Sequence, residues 1–162
     1  MSLHPTKNDL AEKTRTPVVD LLLARMADAI DLGTQIKQAH WTVKGHHFYS
    51  LHKLFDDIHD DVLEYTDTIA ERAVMLGGQT AGTVRAVAGT TALPEYPLGA
   101  TSGRDHVAAV ATVLATFGKS VRQGIDKANE LGDADTADLF TGVSRGIDKW
   151  LWMVESHLHE KG

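Results

Sequence analysis

Along most of the chain, apolar residues recur at the three- and four-residue spacing that gathers them on one face of an α-helix, and no stretch shows the strict alternation of a half-buried strand. Val18, Leu22, Met26, Ile30, Ile36 and Ala39 make the first such face, mildly interrupted at Gly33. Thr16-Pro17 offers its opening, a capping hydroxyl followed by proline at the first helical position, and Gly45 its end. A second helix is expected from Phe48–Ser50 to the Gly77-Gly78 stop, with Leu54, Phe55, Ile58, Val62, Tyr65 and Ile69 on its apolar side. The connection over residues 79–101 holds a short helical stretch at 83–88. It continues as TTALPEYPLGATSG, where prolines and glycines exclude regular structure. Ser102 with Asp105 resembles a capping box for a third long helix through Val110, Val113, Leu114, Phe117, Val121 and Ile125 to Gly132. Asp133 or Asp135 caps a fourth, which carries Leu139, Phe140, Val143, Ile147, Leu151 and Val154 to about His159.

Four long amphipathic helices, two short links and one long crossover predict an all-α fold, a ferritin-like four-helix bundle with a short helix in the crossover. The bundle is expected over residues 16–162. Residues 1–15, polar and without period, read as a flexible N-terminal tail. The 162 residues and 43% hydrophobic content suit one domain with a real core. No apolar run approaches the roughly 20 residues of a membrane helix, and residues 1–17 lack a signal peptide's apolar segment. The expected location is therefore the cytoplasm, with the nucleoid as an associated site if DNA is bound. With no cysteine, disulfides, thiolate metal sites and thiol catalysis are excluded. A net charge of −6 argues against a surface coated for phosphate backbones, whose affinity comes from clustered Lys and Arg.

The charge pattern changes the picture most between Lys37 and Gly78, which reads KQAHWTVKGHHFYSLHKLFDDIHDDVLEYTDTIAERAVMLGG. His40, His52, Asp56, Asp67 and Glu71 can all ligate a metal, and the last four fall along one side of the second helix. With His52 at zero, Asp56 lies at about 40°, Asp67 at about 60° and Glu71 at about 100°. Two imidazoles and three carboxylates form a mixed N/O set suited to iron, manganese or zinc. Each acid alone could be an ordinary solvated residue, like Asp57, Asp60 and Asp61 nearby. Leu63 and Ala70, however, share the ligand side at about 20° and 0°, and apolar residues there suit a contact with another chain.

Helix geometry adds a second constraint. His52 and Asp56 are one turn apart, as are Asp67 and Glu71, but from Asp56 to Asp67 the helix rises about 16 Å. Metal–ligand bonds are near 2 Å, so no single centre spans that gap. One chain therefore holds two half-sites, and a two-fold axis that sets His52 and Asp56 of one copy against Asp67 and Glu71 of another completes both. The alternative, a di-iron centre inside one bundle, uses Glu-x-x-His on two helices, and no Glu here is followed three residues later by His.

The segments KQAHW, LHKLFD, DTIAER and LGG, together with TADLFTGVSRGIDKWLW near the C-terminus, resemble the Dps family, the DNA-binding proteins from starved cells, over almost the whole chain. The resemblance implies a homododecameric cage with ferroxidase sites at its two-fold interfaces. It implies Fe2+ oxidation, preferably by hydrogen peroxide, storage of Fe3+ as an oxyhydroxide mineral, and protection of DNA from oxidative damage. His40, His52, Asp56 and Glu71 would be the direct ligands of a two-iron site, with Asp67 either a ligand or hydrogen-bonded to one. Iron, as Fe2+ and Fe3+, is then both ligand and substrate. Asp126, Asp133, Asp135 and Asp138, around the turn between the last two long helices, correspond to the acids lining the family's iron-entry pores, although Asp133 and Asp135 also have a capping role.

Other residues are expected to be ordinary. Trp41 either packs at an interface or quenches a stray oxidising equivalent, Trp150 and Trp152 pack, and His46, His47 and His59 are expected as solvated residues near helix ends rather than as ligands of extra metal. The tail sets Lys7, Lys13 and Arg15 against Asp9 and Glu12, so DNA binding is expected to be weak or absent. A nucleoid-compacting DNA-binding cage, with iron oxidation secondary, is the alternative function.

Overall fold

The computed structural model describes residues 3–159 and, among them, contains five α-helices and no strand. They are α1 (Glu12–Thr42), α2 (Phe48–Met75), α3 (Val84–Ala88), α4 (Gly103–Leu131) and α5 (Ala134–Ser156). Helix α1 packs along α2, α4 along α5, α1 also against α4, and α2 against α5. The expected bundle forms, with its short helix in the crossover.

Helix α1 starts four residues before the Thr16-Pro17 opening. The Thr16 hydroxyl donates to the Glu12 carbonyl at 3.0 Å instead of capping, and Pro17 lies inside the helix. The amide hydrogen that proline lacks would have met the Lys13 carbonyl, which sits in an exposed first turn where water can take it. The added turn is held by Arg15, which is buried and donates to the carbonyls of Leu10 at 3.0 Å and Leu76 at 2.8 Å. Before it, the His4 amide donates to the Gly77 carbonyl at 2.7 Å, and Leu3 and Leu10 pack at the core's edge. Gly77 has φ +90°, and a Cβ there would fall 2.5 Å from the His4 carbonyl oxygen. Of the residues expected as a tail, Met1 and Ser2 lie outside the described residues.

The crossover can be followed along α1. A Cβ on Gly82 would meet Ile30, the Ala92 amide donates to Asp28 at 2.8 Å, Gln35 donates to the Pro94 carbonyl at 2.9 Å, and a Cβ on Gly103 would meet the Lys44 carbonyl. The chain thus returns the full length of α1 before α4 begins, which makes α4 antiparallel to α1 and parallel to α2. The Thr91 hydroxyl adds a bond to Asp31 at 2.8 Å, and the Tyr96 hydroxyl meets His106 Nδ1 at 2.5 Å. Burial pushes the His106 pKa down and the Tyr96 hydroxyl up to about 12, so the phenol is the donor and the neutral imidazole the acceptor.

The core is one cluster built from all four long helices, with Phe55, Phe117 and Phe140 fully buried at its centre. The Ser102–Asp105 capping box opens α4, and Asp133 caps α5 through the Thr136 amide. Asp133 does more than cap. Arg72 of α2 donates one nitrogen to both its carboxylate oxygens, at 2.8 and 3.0 Å, and a second to the Thr136 hydroxyl at 3.1 Å. This clamp ties the end of α2 to the α4–α5 turn. Burial opposes ionisation of Asp133, but hydrogen bonds from Thr136 and Arg72 outweigh it and hold its pKa below the usual carboxylate range. A depressed folded pKa gives stability that is present above the unfolded value of about 3.9 and lost as pH falls through the folded one. Asp133→Ala is expected to lower unfolding free energy by about 3 kcal/mol at pH 7 through loss of the buried pair and cap. In chemical denaturation, its deficit relative to the parent should shrink below about pH 4; a deficit independent of pH would contradict the ionised clamp.

Candidate metal centre

His40 lies in the last turn of α1 and His52 in the second turn of α2, on either side of a short turn that folds the helices together. Their rings stack with centroids 3.7 Å apart and planes 20° from parallel. His40 Nδ1 lies 2.8 Å from the His52 carbonyl oxygen, and His52 Nδ1 lies 2.9 Å from the His40 carbonyl oxygen. A carbonyl only accepts, so each Nδ1 carries a proton, which leaves Nε2 as the ring nitrogen able to offer a lone pair to a metal. A reciprocal lock of this kind prepares two imidazoles as metal ligands before any metal arrives.

Asp56, one turn after His52, adds a carboxylate to this group, with one oxygen 3.7 Å from His40 Nδ1. The Lys37 ammonium, three residues before His40 on α1, forms a short hydrogen bond to that same oxygen, and Lys53 stands 3.8 Å from the other. The Lys37 bond is the main cause that holds the Asp56 pKa below its ordinary value, with burial opposing and the charges of His40, Lys37 and Lys53 assisting. Lys37 and its role were missed from the sequence. Its i,i+3 spacing to His40, within the quoted KQAHW, was the available signal.

Asp67 and Glu71 lie further down α2, both exposed. Among the described residues, no group of three His, Asp or Glu side chains within one chain is placed to hold an ion. The structure thus stacks His40 on His52 with Asp56 beside them, short of a complete ion site, and leaves Asp67 and Glu71 apart from them. The side of α2 that links the two groups is unusually apolar for an open surface. Leu63 is 51% exposed and Ala70 half-buried, and Val74 at 54% and Met75 at 58% extend the patch beyond what the sequence reading included. Trp41, beside His40, is 67% exposed.

The acids around the α4–α5 turn divide. Asp133 is buried in the Arg72 clamp, while Asp126, Asp135 and Asp138 are exposed. Trp150 is buried and donates to Asp61 at 2.7 Å, as expected of a packing residue, whereas Trp152 is 65% exposed in the single chain. His46 and His47 are exposed, but the His59 side chain is only 18% exposed and sits beside Gly33, so it is not the solvated residue expected.

Parallel long helices closed by a full-length crossover define the class, and a ferritin-like domain model matches residues 19–161. The chain is 41% identical over 161 residues to the DNA protection during starvation protein of Agrobacterium fabrum, covering 99% of each. Its structure superposes on DpsC from Streptomyces coelicolor with a TM-score of 0.94 at 29% identity, covering 99% of this chain and 94% of that one. Mycobacterium smegmatis Dps gives a TM-score of 0.92 at 29% identity, with 100% and 91% covered. The chain is a ferritin-like protein, and within that class it belongs to the Dps family.

Lys37 must leave the Asp56 oxygen before a cation can use it. Lys37→Met removes both a competitor and a repelling charge, so equilibrium titration with Co2+ is expected to show several-fold tighter binding; weaker binding would show that Lys37 supports the site instead.

Proposed function

We propose that the protein is a ferroxidase and iron-storage cage that oxidises Fe2+, preferably with hydrogen peroxide, and keeps Fe3+ as an oxyhydroxide mineral, protecting DNA. The observation that carries this reading is the His40–His52 lock, because a pair of imidazoles held with both Nε2 lone pairs free has little use in a purely structural bundle. Membership of the ferritin-like class supports it, as does the name of the Agrobacterium relative, which refers to DNA protection.

In the proposed assembly, a homododecamer, His40, His52 and Asp56 of one subunit face Asp67 and Glu71 of a two-fold neighbour. The apolar patch from Leu63 to Met75 fills the contact between the paired half-sites. Two Fe2+ bind as substrate. Each gives one electron to the same peroxide, whose O–O bond breaks and, with two protons, leaves as two waters. Pairing the electrons avoids releasing hydroxyl radical. The carboxylates neutralise charge as iron becomes ferric, and a ligand set with imidazole as its only neutral donor holds Fe3+ loosely enough for it to leave and mineralise. The protonated Nδ1 atoms keep both rings oriented throughout. No helix among the described residues is long and apolar enough to cross a membrane, and a cytoplasmic location is part of the proposal. With an acidic chain, DNA association is weak and salt-sensitive, so protection acts through removal of iron and peroxide.

Anaerobic protein mixed with Fe2+ and peroxide should show a rapid ferric absorbance that the paired His52→Ala and Asp56→Ala substitutions abolish, while the assembly keeps its size. Unchanged kinetics would refute the ligand assignment. Asp126, Asp135 and Asp138 are proposed to concentrate Fe2+ at an entrance where copies meet. Changing the three to Asn should slow iron uptake several-fold at micromolar Fe2+ and little at saturating metal; equal slowing at both would point to a damaged catalytic step instead.

A further inference from the structure

Where α1 ends and α4 begins, a cavity of about 290 Å³ opens between the α1–α2 turn, the first turn of α4 and the residue that follows α5. Its ionisable lining has one sign. Lys44 and His46 come from the turn, Arg104 from α4 and His157 from beyond α5; His47 also lines it, and among the described residues no carboxylate does. In a chain of net charge −6 such a concentration of basic groups needs a reason. Neither Lys44 nor Arg104 forms an ion pair with a carboxylate among the described residues. Gathering cations around a cavity raises the electrostatic energy of the empty protein, and a bound anion lowers it.

The walls suit the same ligand. Leu51 and Val107 line the cavity with apolar surface, which strengthens electrostatic attraction within it. Gly103 lets the start of α4 close against the turn, since a Cβ would lie 3.2 Å from Leu51 and 3.4 Å from the Lys44 carbonyl oxygen. The nearby acid, Asp105, is outside the lining and is occupied by the amides of Ser102 at 3.0 Å and Thr101 at 3.4 Å. An arginine fork with a lysine point charge is a donor set for a tetrahedral oxyanion.

We propose that this cavity binds an oxyanion of the phosphate class, held by Lys44 and Arg104, with the imidazoles of His46 and His157 as further donors. The oxyanion can be free inorganic phosphate or a phosphate of a nucleic-acid backbone. Calorimetric titration of the assembled, iron-free protein with inorganic phosphate is expected to show saturable binding at one site per chain. The double variant Lys44→Gln and Arg104→Gln should bind at least about tenfold more weakly, the loss of one charge-assisted hydrogen bond or more. A control double variant, Lys119→Gln and Arg85→Gln, should bind as the parent does. All four residues are exposed, and elution volume checks that each assembly is intact. No saturable binding by the parent, or equal binding by the Lys44/Arg104 variant, overturns the proposal. A second arm adds a short DNA duplex to phosphate-loaded protein. Displacement of phosphate, with a duplex shift that the Lys44/Arg104 variant loses, assigns the site to a nucleic-acid backbone; phosphate retained assigns it to the free ion.

Discussion

The rise of a single helix constrains everything else about this protein. Helix α2 carries metal-capable side chains on one side at two levels about 16 Å apart, a distance no mononuclear or dinuclear centre covers. The bundle cannot bridge the gap by bending, because the opposite face of α2 is locked into the core by Phe55, Ile58, Val62 and Ile69, all fully buried. A well-packed α2 therefore keeps the two proposed half-sites apart on its outward side. The exposed Leu63, Val74 and Met75 lie on that outward side, so the feature that leaves the sites incomplete also supplies a surface suited to a second copy.

Rigidity at both ends of α2 serves that arrangement. At its start, the stacked His40 and His52 exchange hydrogen bonds with each other's backbone, so the imidazoles also join α1 to α2. At its end, Arg72 grips Asp133 of the α4–α5 turn and Thr136 of the first turn of α5, and Arg15 holds the Leu76 carbonyl. The proposed half-sites could meet their counterparts only if their spacing were fixed, and these contacts fix it. The Arg72 clamp draws on the same DTIAER segment that supplies Asp67 and Glu71, so adjacent residues of one motif point to different tasks.

Much of this was legible in the sequence because periodicity reports directly on which face of a helix is buried. The four long helices, the α3 stretch and the capping box at Ser102 follow from apolar spacing and local hydrogen-bonding chemistry, which need no knowledge of distant residues. The start of α1 was not legible for the opposite reason. Thr16-Pro17 has the local chemistry of a helix opening, but Arg15 finds acceptors in Leu10 and Leu76, the latter sixty-one positions away, and that tertiary contact extends the helix past the signal. Lys37 and Arg72 were overlooked for the same reason. A charged side chain on an amphipathic helix gives no local sign of whether it meets solvent or a carboxylate on another element. His59 adds a further case, since only the space beside Gly33 on α1 explains its burial.

The carboxylates sort themselves by what already occupies them. Asp133 is taken by Arg72, Asp61 by Trp150, and Asp28 by Arg25 and the Ala92 amide. These acids hold the fold, and a cation competing for them would have to break those bonds. Asp67, Glu71, Asp126, Asp135 and Asp138 remain exposed. Asp56 lies between the groups, ionised yet bridged to Lys37, a partner that is itself partly exposed and flexible enough to withdraw. The proposed uptake of Fe2+ would need this separation, because acids that both bound iron and supported the core would couple loading to unfolding. Here the core-bearing acids are paired within the fold, while those proposed to meet iron lie at the surfaces where neighbouring copies are expected.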